Sequence, residues 1–235
     1  MRAMPERMLV LFDIDGTLLR TEGAGMTAML ATAHELFPSK TFSFEGLSIS
    51  GRLDRLIWKD LMIAGGVEPS VELHELFRHK YGEHLRRGFS HTSKSHPLTG
   101  ARELVESLHA HDGCDIGLLT GNYEHTGLLK VAQAGFSLAP FQFNAWADDG
   151  HHRRELPPIA MSRYSARTGR ETNSSRVIII GDTPLDIDCA HFNGCLAIAV
   201  ATGHHPIAEL ASHKPDLLVQ GLDNWTEIAS WITSR

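Results

Sequence analysis

Residues 8–18 read MLVLFDIDGTL, an apolar run that ends in two aspartates separated by one residue. A short apolar run without polar alternation is typical of a strand that is buried on both faces of a parallel sheet. Ligands bind at the carboxyl ends of the strands in such sheets, so Asp13 and Asp15 lie where a site is expected. Because two neighbouring carboxylates repel each other, a cation or hydrogen-bond donors must share their charge.

Similar apolar runs recur along the chain, and helical patterns separate them. Strands that alternate with helices imply right-handed βαβ units. The sequence therefore predicts an α/β fold with a doubly wound, Rossmann-like parallel sheet. The further strand candidates are Ile116–Leu119, Val177–Ile180 and Leu196–Val200, with weaker ones at Phe141–Trp146 and Leu217–Val219. The helix candidates between them are Ala101–His109, Thr126–Ala134, Ile159–Thr168 and Asp186–Asn193.

The alternation is interrupted between about residues 21 and 96, where no buried-strand pattern occurs. Three helical patterns fill this stretch, over Gly25–Phe37, Leu53–Ile63 and Val71–Leu85. We therefore predict an α/β core domain formed by residues 1–20 and 97–235, and a helical domain, residues 21–96, inserted after the first strand.

Two later strand candidates also end in polar groups. Thr120, Gly121 and Asn122 supply a hydroxyl and amides at the start of a helix, which can bind an anion, although such residues are also common in ordinary strand-to-helix turns. Asp182 follows the next strand candidate, and Asp186 lies at a helix start, where the helix dipole alone would favour an acid. Because the carboxyl ends of parallel strands meet at one edge, the three sets predict a single site.

The composition argues against two classes of binding partner, nucleic acids and membranes. A net charge of -6 argues against a nucleic-acid partner, which would need a concentrated basic face. No stretch approaches the roughly 20 apolar residues of a membrane-spanning helix. The three cysteines indicate buried reduced thiols rather than a disulfide framework. We expect a cytoplasmic protein without a membrane or nucleic-acid partner.

Taken together, the motifs DxDGTL at residues 13–18, Thr-Gly-Asn at 120–122 and GDxxxD at 181–186 resemble those of the haloacid dehalogenase superfamily. The resemblance is to its phosphatases related to phosphoglycolate phosphatase and β-phosphoglucomutase. It covers nearly the whole chain, and the helical insert matches the cap domain of that group in position and size.

The resemblance implies a mechanism and a cofactor. Asp13 would attack phosphorus as a nucleophile, and Asp15 would act as the general acid and then the general base. Mg²⁺ would be bound by the carboxylates of Asp13 and Asp182 and the backbone carbonyl of Asp15, with Asp186 positioning these ligands. The phosphoryl group would be bound by Thr120, Gly121 and Asn122.

The third motif of the superfamily departs from its usual form here. It normally supplies a lysine, often followed by Pro-x-Pro, but the range Asp148–Arg170 contains no lysine. Aligning Pro157 with the last proline places Arg154 at the lysine position, with Arg153 as the neighbouring alternative. An arginine keeps the charge and can bind phosphate through two donors, so we expect Arg154 to bind the phosphate.

The insert contains a second candidate for substrate binding. Residues 51–54, Gly-Arg-Leu-Asp, resemble a segment in the caps of phosphoglycolate-phosphatase-like proteins. Arg52 would meet a second anionic group of the substrate, or would be a solvated arginine at a helix start.

We expect a small phosphorylated metabolite as substrate and a monomer or homodimer. A phosphosugar mutase and a catalytically weak binding protein are the alternatives.

Overall fold

Strands of the main sheet alternate with helices along the chain, except between the first and second strands of that sheet, where three additional helices occur. The computed structural model describes residues 7–91 and 95–235. Its strands are β1 Met8–Phe12, β2 Leu19–Arg20, β3 His96–Pro97, β4 Cys114–Leu118, β5 Val177–Gly181, β6 Leu196–Val200 and β7 Leu217–Val219. Its helices are α1 Ala24–Leu36, α2 Asp54–Ala64, α3 Val71–His91, α4 Ala101–His109, α5 Glu124–Gln133, α6 Leu156–Thr168, α7 Pro184–Phe192, α8 Ile207–Ser212 and α9 Trp225–Thr233.

The main sheet is parallel throughout, in the order β4-β1-β5-β6-β7. Strand β1 lies between β4 and β5, so that Phe12 is opposite Leu118 on one side and Ile180 on the other. The chain turns from strand to strand through helices, as expected for βαβ units. The predicted fold class, a doubly wound α/β sheet, is confirmed.

Alternate residues of the strands belong to two apolar clusters, one on each face of the sheet. Leu9 and Leu11 belong to the first cluster, which includes buried residues of α6, α7 and α8. Val10 and Phe12 belong to the second, which includes buried residues of α4, α5 and α9. Both faces of β1 are therefore covered, which explains why its sequence shows no polar alternation.

Helices α1, α2 and α3 occupy the interruption between the first strand and the rest of the sheet. We call residues 21–96 the insert. The short strands β2 and β3 pair in antiparallel fashion, with Leu19 opposite Pro97, and bring the two ends of the insert together. Helix α1 packs along α3, and the buried side chains of the insert continue into the first apolar cluster. The division into a core and an inserted domain stays a prediction, and residues 1–6 and 92–94 lie outside the described residues.

The weaker strand prediction at Phe141–Trp146 was only partly right. This segment runs beside β4 through isolated bridges, from Phe141 to Ile116 and from Ala145 to Leu119. Between them the side chain of Asn144 accepts the hydrogen bond of the Leu118 amide at 2.9 Å. The Asn144 side chain thus accepts the hydrogen bond that a backbone carbonyl would accept in a regular strand, and this segment does not form one. Over the described ranges, no helix is long and apolar enough to cross a membrane.

Candidate active site

Three neighbouring strands of the sheet bring the predicted groups to one edge. Asp13 directly follows β1, Asp182 directly follows β5, and Thr120 lies two residues beyond the end of β4. The backbone continues the pairing at this edge, since the Asp13 amide donates to Ile180 O at 2.9 Å. The order β4-β1-β5 therefore places Asp13 between the other two, as the strand-end argument predicted.

Asp13, Asp182 and Asp186 form a buried group of carboxylates. Their ligand atoms lie within 4.8 Å of one another, and each residue is at most 5% exposed. Burial raises the pKa of Asp13 to about 6, with Arg153 acting against this rise. Burial also raises the pKa of Asp182 well above its ordinary value, and the charges of Asp13 and Asp186 add to the effect. The cluster therefore holds more negative charge than its surroundings readily accommodate.

Glycine at residue 16 lets the chain turn closely over this cluster. Gly16 has a φ of +83°, which is in the left-handed region that favours glycine. A Cβ atom built there would lie 2.4 Å from Asp182 Oδ2, too close for any side chain. The same turn places Thr17, whose hydroxyl donates to Asp182 Oδ1 at 3.1 Å. The DxDGT sequence therefore both supplies one carboxylate of the cluster and orients another.

Both oxygens of Asp186 already accept hydrogen bonds from the chain. Its Oδ2 accepts from the Thr183 hydroxyl at 2.6 Å and from the Thr183 amide at 3.1 Å, a capping box at the start of α7. Its Oδ1 accepts from Arg153 Nη2. Asp13 and Asp182 therefore retain more acceptor capacity than Asp186, which fits the predicted positioning role of Asp186.

The cation beside Asp13 is Arg153, and the prediction of Arg154 was wrong. Arg153 is only 6% exposed, and its Nη2 lies 3.2 Å from Asp13 Oδ1. Its Nη1 donates to Gly51 O in the insert at 2.9 Å. Burial disfavours the charged form, but Asp186 and Asp13 together raise the pKa of Arg153 above its ordinary value. The Nε atom is buried and has no hydrogen-bond partner in the described part of the chain.

Arg154 points away from the cluster to the protein surface. It forms an exposed ion pair with Asp188, in which Nε lies 2.7 Å from Oδ2, and its guanidinium stacks over the Phe192 ring at 4.5 Å. Residues 153–155 form a 3₁₀ turn, in which consecutive side chains point about 120° apart. Only one of the two adjacent arginines can therefore face Asp13. That residue is Arg153, whereas the spacing from Pro157 had predicted Arg154.

A second buried cation, Lys130, was not identified from the sequence. Its Nζ lies 2.6 Å from Asp15 Oδ2 and 2.6 Å from Asn122 Oδ1. The Asn122 amide nitrogen donates to Asp15 Oδ2 at 2.9 Å and to the Thr120 hydroxyl at 2.8 Å. Burial opposes the charge of Lys130, but Asp15 and Asp54 raise its pKa above the ordinary value.

The signal for Lys130 was present in the sequence. Lys130 follows Thr126 by four residues, which places both on the same face of α5, and both are buried. A lysine on the buried face of a helix needs an acidic partner nearby, and Asp15 is that partner. The third motif is expected on the helix before GDxxxD, whereas Lys130 lies on α5, one helix earlier in the chain, so the motif does not identify it.

The start of helix α2 contacts the predicted phosphate-binding segment. The Asp54 amide donates to Gly121 O at 2.6 Å, and the Asp54 carboxylate accepts from the Tyr123 amide at 3.3 Å. Arg52 faces the same region, but its Nη1 is paired with Asp60 Oδ2 at 2.7 Å and donates to Ser48 O at 3.0 Å. One nitrogen of the Arg52 guanidinium is therefore engaged within the insert.

These groups line one cavity of about 720 Å³ between the sheet edge and the insert. Its core side includes Asp13, Asp15, Thr120, Gly121, Asn122, Lys130, Arg153 and Asp182. A cavity of this size holds a small organic ligand. The arrangement offers a buried carboxylate nucleophile, an acid or base beside it, an all-oxygen metal-ligand set and two cations for an anion.

The sequence pattern of the family described as haloacid dehalogenase-like hydrolase matches residues 10–200. The chain belongs to this family. The predicted superfamily is therefore confirmed, as is the prediction of a hydrolytic enzyme. The match spans all three motifs and the insert.

Two curated relatives of this hydrolase have phosphatase names. The pyrophosphatase PpaX of Anoxybacillus flavithermus is 23% identical, over 96% of this chain and 98% of its own. A phosphoglycolate phosphatase of Yersinia pseudotuberculosis is 23% identical, over 89% of this chain and 88% of its own.

Solved structures share the fold of the hydrolase at low identity. A hydrolase from Pseudomonas syringae superposes with a TM-score of 0.72 at 18% identity, over 96% of this chain and 99% of its own. A β-phosphoglucomutase from Clostridium difficile superposes with a TM-score of 0.72 at 17% identity, over 98% of this chain and 100% of its own.

Adjacent arginines provide a matched test of the corrected assignment. Arg153→Ala leaves the carboxylates of Asp13 and Asp186 without their cation, so we expect kcat/KM for p-nitrophenyl phosphate to fall by about 100-fold or more. Arg154→Ala loses only the exposed ion pair with Asp188, so its kcat/KM should stay within about twofold of the wild-type value. Arg153→Lys controls for folding and should recover part of the activity. A loss in Arg154→Ala equal to that in Arg153→Ala would contradict the assignment.

Asp54→Asn tests the electrostatics of the contact with helix α2. Burial raises the pKa of Asp54 to about 7 in the folded protein, only partly offset by Lys130. The folded state then keeps a proton that the unfolded state has lost, so stability falls as pH rises from about 4 to about 7. We expect the free energy of unfolding of Asp54→Asn to exceed that of the wild type by about 2 kcal/mol or more at pH 8, and to equal it at pH 4. Urea unfolding at both pH values measures this, and a pH-independent difference would refute it.

Proposed function

We propose that this hydrolase is a magnesium-dependent phosphatase that cleaves a small phosphate monoester through an aspartyl-phosphate at Asp13. The observation that carries the proposal is the buried Asp13 carboxylate, with Asp182 within metal-sharing distance and Arg153 at 3.2 Å. The phosphatase names of both curated relatives support the same reaction.

The residues at the sheet edge fit a divalent cation. Asp13 and Asp182 are buried acids whose pKa values are raised, so a bound cation would offset their mutual repulsion. Carboxylate and carbonyl oxygens are the ligands that Mg²⁺ prefers. Asp13, Asp182 and the carbonyl of Asp15 would hold the ion, and Asp186 would orient the set. When bound, Mg²⁺ supplies positive charge that offsets the repulsion between a carboxylate nucleophile and a phosphate dianion.

In the first step, an Asp13 carboxylate oxygen attacks the phosphorus atom of the ester. The bond between phosphorus and the ester oxygen breaks, and the leaving oxygen takes a proton from the Asp15 carboxyl. Arg153 lies beside Asp13 and lines the cavity, so its guanidinium would offset the charge of the phosphoryl group. Thr120 and the amides of the 120–122 segment line the same side of the cavity and would bind the other oxygens.

In the second step, water attacks the aspartyl-phosphate. Asp15, now a carboxylate, accepts a proton from the water, the bond between phosphorus and Asp13 breaks, and phosphate is released. Lys130 and Asn122 fix the position of the Asp15 carboxylate through hydrogen bonds of 2.6 and 2.9 Å. This pair holds the acid–base group in one orientation across both steps.

The insert acts as a cap in this proposal. Gly51 O accepts from Arg153, and the Asp54 amide donates to Gly121 O, so the insert closes directly over the phosphate-binding groups. Closing a site in this way excludes bulk water from the reacting atoms. A small phosphorylated metabolite as substrate, a cytoplasmic location and a monomeric or dimeric state stay predictions.

Asp13→Asn tests the nucleophile. The amide cannot form the aspartyl-phosphate, so we expect hydrolysis of p-nitrophenyl phosphate with Mg²⁺ to fall to background, as it should for the wild type in excess EDTA. Asp188→Asn, the same change at an exposed acid paired with Arg154, should keep the wild-type rate. Turnover by Asp13→Asn at the wild-type rate would overturn the mechanism.

Asp15→Asn separates the two steps. Because p-nitrophenolate leaves without a proton, the variant should still form the aspartyl-phosphate and release a burst of about one equivalent of p-nitrophenol. Its second step lacks a base, so steady-state turnover should fall by about 100-fold or more. Stopped-flow absorbance measures both phases. An unchanged steady-state rate would show that another group activates the water.

A further inference from the structure

The loop of residues 48–52 lies in the insert before helix α2 and packs against the start of α7. Gly51 has a φ of +70°, and a Cβ atom built there would lie 2.6 Å from Oγ1 of Thr183, the residue that precedes α7. The Arg52 amide donates to Ile49 O at 3.1 Å, so the loop closes on itself as a turn. The turn therefore approaches α7 so closely that only glycine fits at position 51.

A serine of this loop is hydrogen-bonded to a histidine from a distant part of the chain. Ser50 Oγ lies 2.9 Å from Nε2 of His205, which belongs to the segment between β6 and α8. His205 Nδ1 lies 3.1 Å from Oε1 of Glu209 in α8. Because a carboxylate only accepts hydrogen bonds, Nδ1 carries a proton, and Nε2 of the neutral ring accepts from the Ser50 hydroxyl. Protonation of the ring would reverse the direction of this bond without breaking it.

The histidine itself is held by its neighbours. Pro206 follows it with a φ of -60°, which the proline ring restricts, and α8 begins at the next residue. Glu209 orients the ring through Nδ1, but its side chain is 44% exposed, whereas that of His205 is 23% exposed. The bond between His205 and Ser50 is therefore the more sheltered of the two, and the ion pair with Glu209 contributes less.

The residue after Ser50 connects the loop to the cation at the reacting carboxylate. Gly51 O accepts from Arg153 Nη1 at 2.9 Å, and Arg153 Nη2 lies 3.2 Å from Asp13 Oδ1. Ser50 and Gly51 are adjacent, so the bond to His205 restricts the position of the Gly51 carbonyl. The guanidinium is a rigid planar fork, so a displaced acceptor at one nitrogen also displaces the other nitrogen.

We infer that Ser50 and His205 are positioning residues for the phosphoryl-transfer step. Their hydrogen bond fixes the Gly51 carbonyl, which holds the Arg153 guanidinium beside Asp13. The inference rests on the proposed phosphatase activity and extends it to residues outside the three motifs. Loss of this bond weakens catalysis because a preorganised charge is misplaced relative to the phosphoryl group.

A double-mutant cycle with Arg153 tests the inference. In the wild-type background, we expect Ser50→Ala and His205→Ala each to lower kcat for p-nitrophenyl phosphate by about fivefold, as for the loss of one hydrogen bond. In the Arg153→Ala background, each should lower kcat by less than about twofold, because the cation that they position is absent. A fivefold loss that persists in this background would overturn the inference, since Ser50, which lines the cavity, would then act on the substrate directly.

Two further variants separate positioning from a general loosening of the insert. His205→Gln keeps a hydrogen-bonding group for Ser50, so its kcat should stay within about twofold of the wild-type value. Arg78→Ala removes a different contact of the insert, the ion pair with Asp148 at 2.7 Å. Its kcat should also stay within about twofold of the wild-type value. A loss in Arg78→Ala equal to that in Ser50→Ala would assign the effect to the docking of the insert and refute the positioning role.

The cycle does not depend on the folding of one variant. Arg153→Lys can replace Arg153→Ala, and the same reduced effect is expected because one nitrogen replaces the fork that spans Gly51 O and Asp13. Wild-type hydrolysis with fully additive losses would refute the positioning role and leave the phosphatase intact. No release of p-nitrophenol by the wild type with Mg²⁺ would refute the phosphatase, and the positioning role with it.

Discussion

The repulsion among three buried carboxylates is the constraint on which the rest of this site depends. Asp13, Asp182 and Asp186 come from neighbouring strand ends and a helix start, and the strand order brings them together whatever their charge. The surrounding chain compensates through Arg153, the capping box at Thr183 and the Thr17 hydroxyl. A buried set of like charges held this closely favours binding of a cation.

The sequence predicted the parts of this enzyme that depend on local pattern. The buried run before Asp13 predicted strand β1, and helix α4 was predicted with the bounds that the structure shows. Asp182 was placed correctly because parallel strands must end at the same edge of the sheet. Helices α8 and α9 were not predicted, since α8 is short and α9 follows the last strand, outside any βαβ unit.

The cations were harder to predict because their positions depend on tertiary geometry. Arg153 and Arg154 are adjacent and chemically identical, and only the 3₁₀ turn decides which of them faces Asp13. Lys130 reaches Asp15 from a helix that begins after a different strand, so no spacing within one motif identifies it. Arg52 lines the cavity, and its predicted contact with a second anionic group stays a prediction; its pairing with Asp60 depends on how α2 packs, which no motif specifies.

The hydrogen bond from Arg153 to Gly51 O connects the insert to the buried cation beside Asp13. The donor belongs to the core and the acceptor to the insert, as with the Asp54 amide and Gly121 O. The insert therefore supplies one of the anchors that orient the cation at Asp13. A shift of the insert would change the position of this guanidinium, so residues far from Asp13 in the sequence help to set the charge beside it.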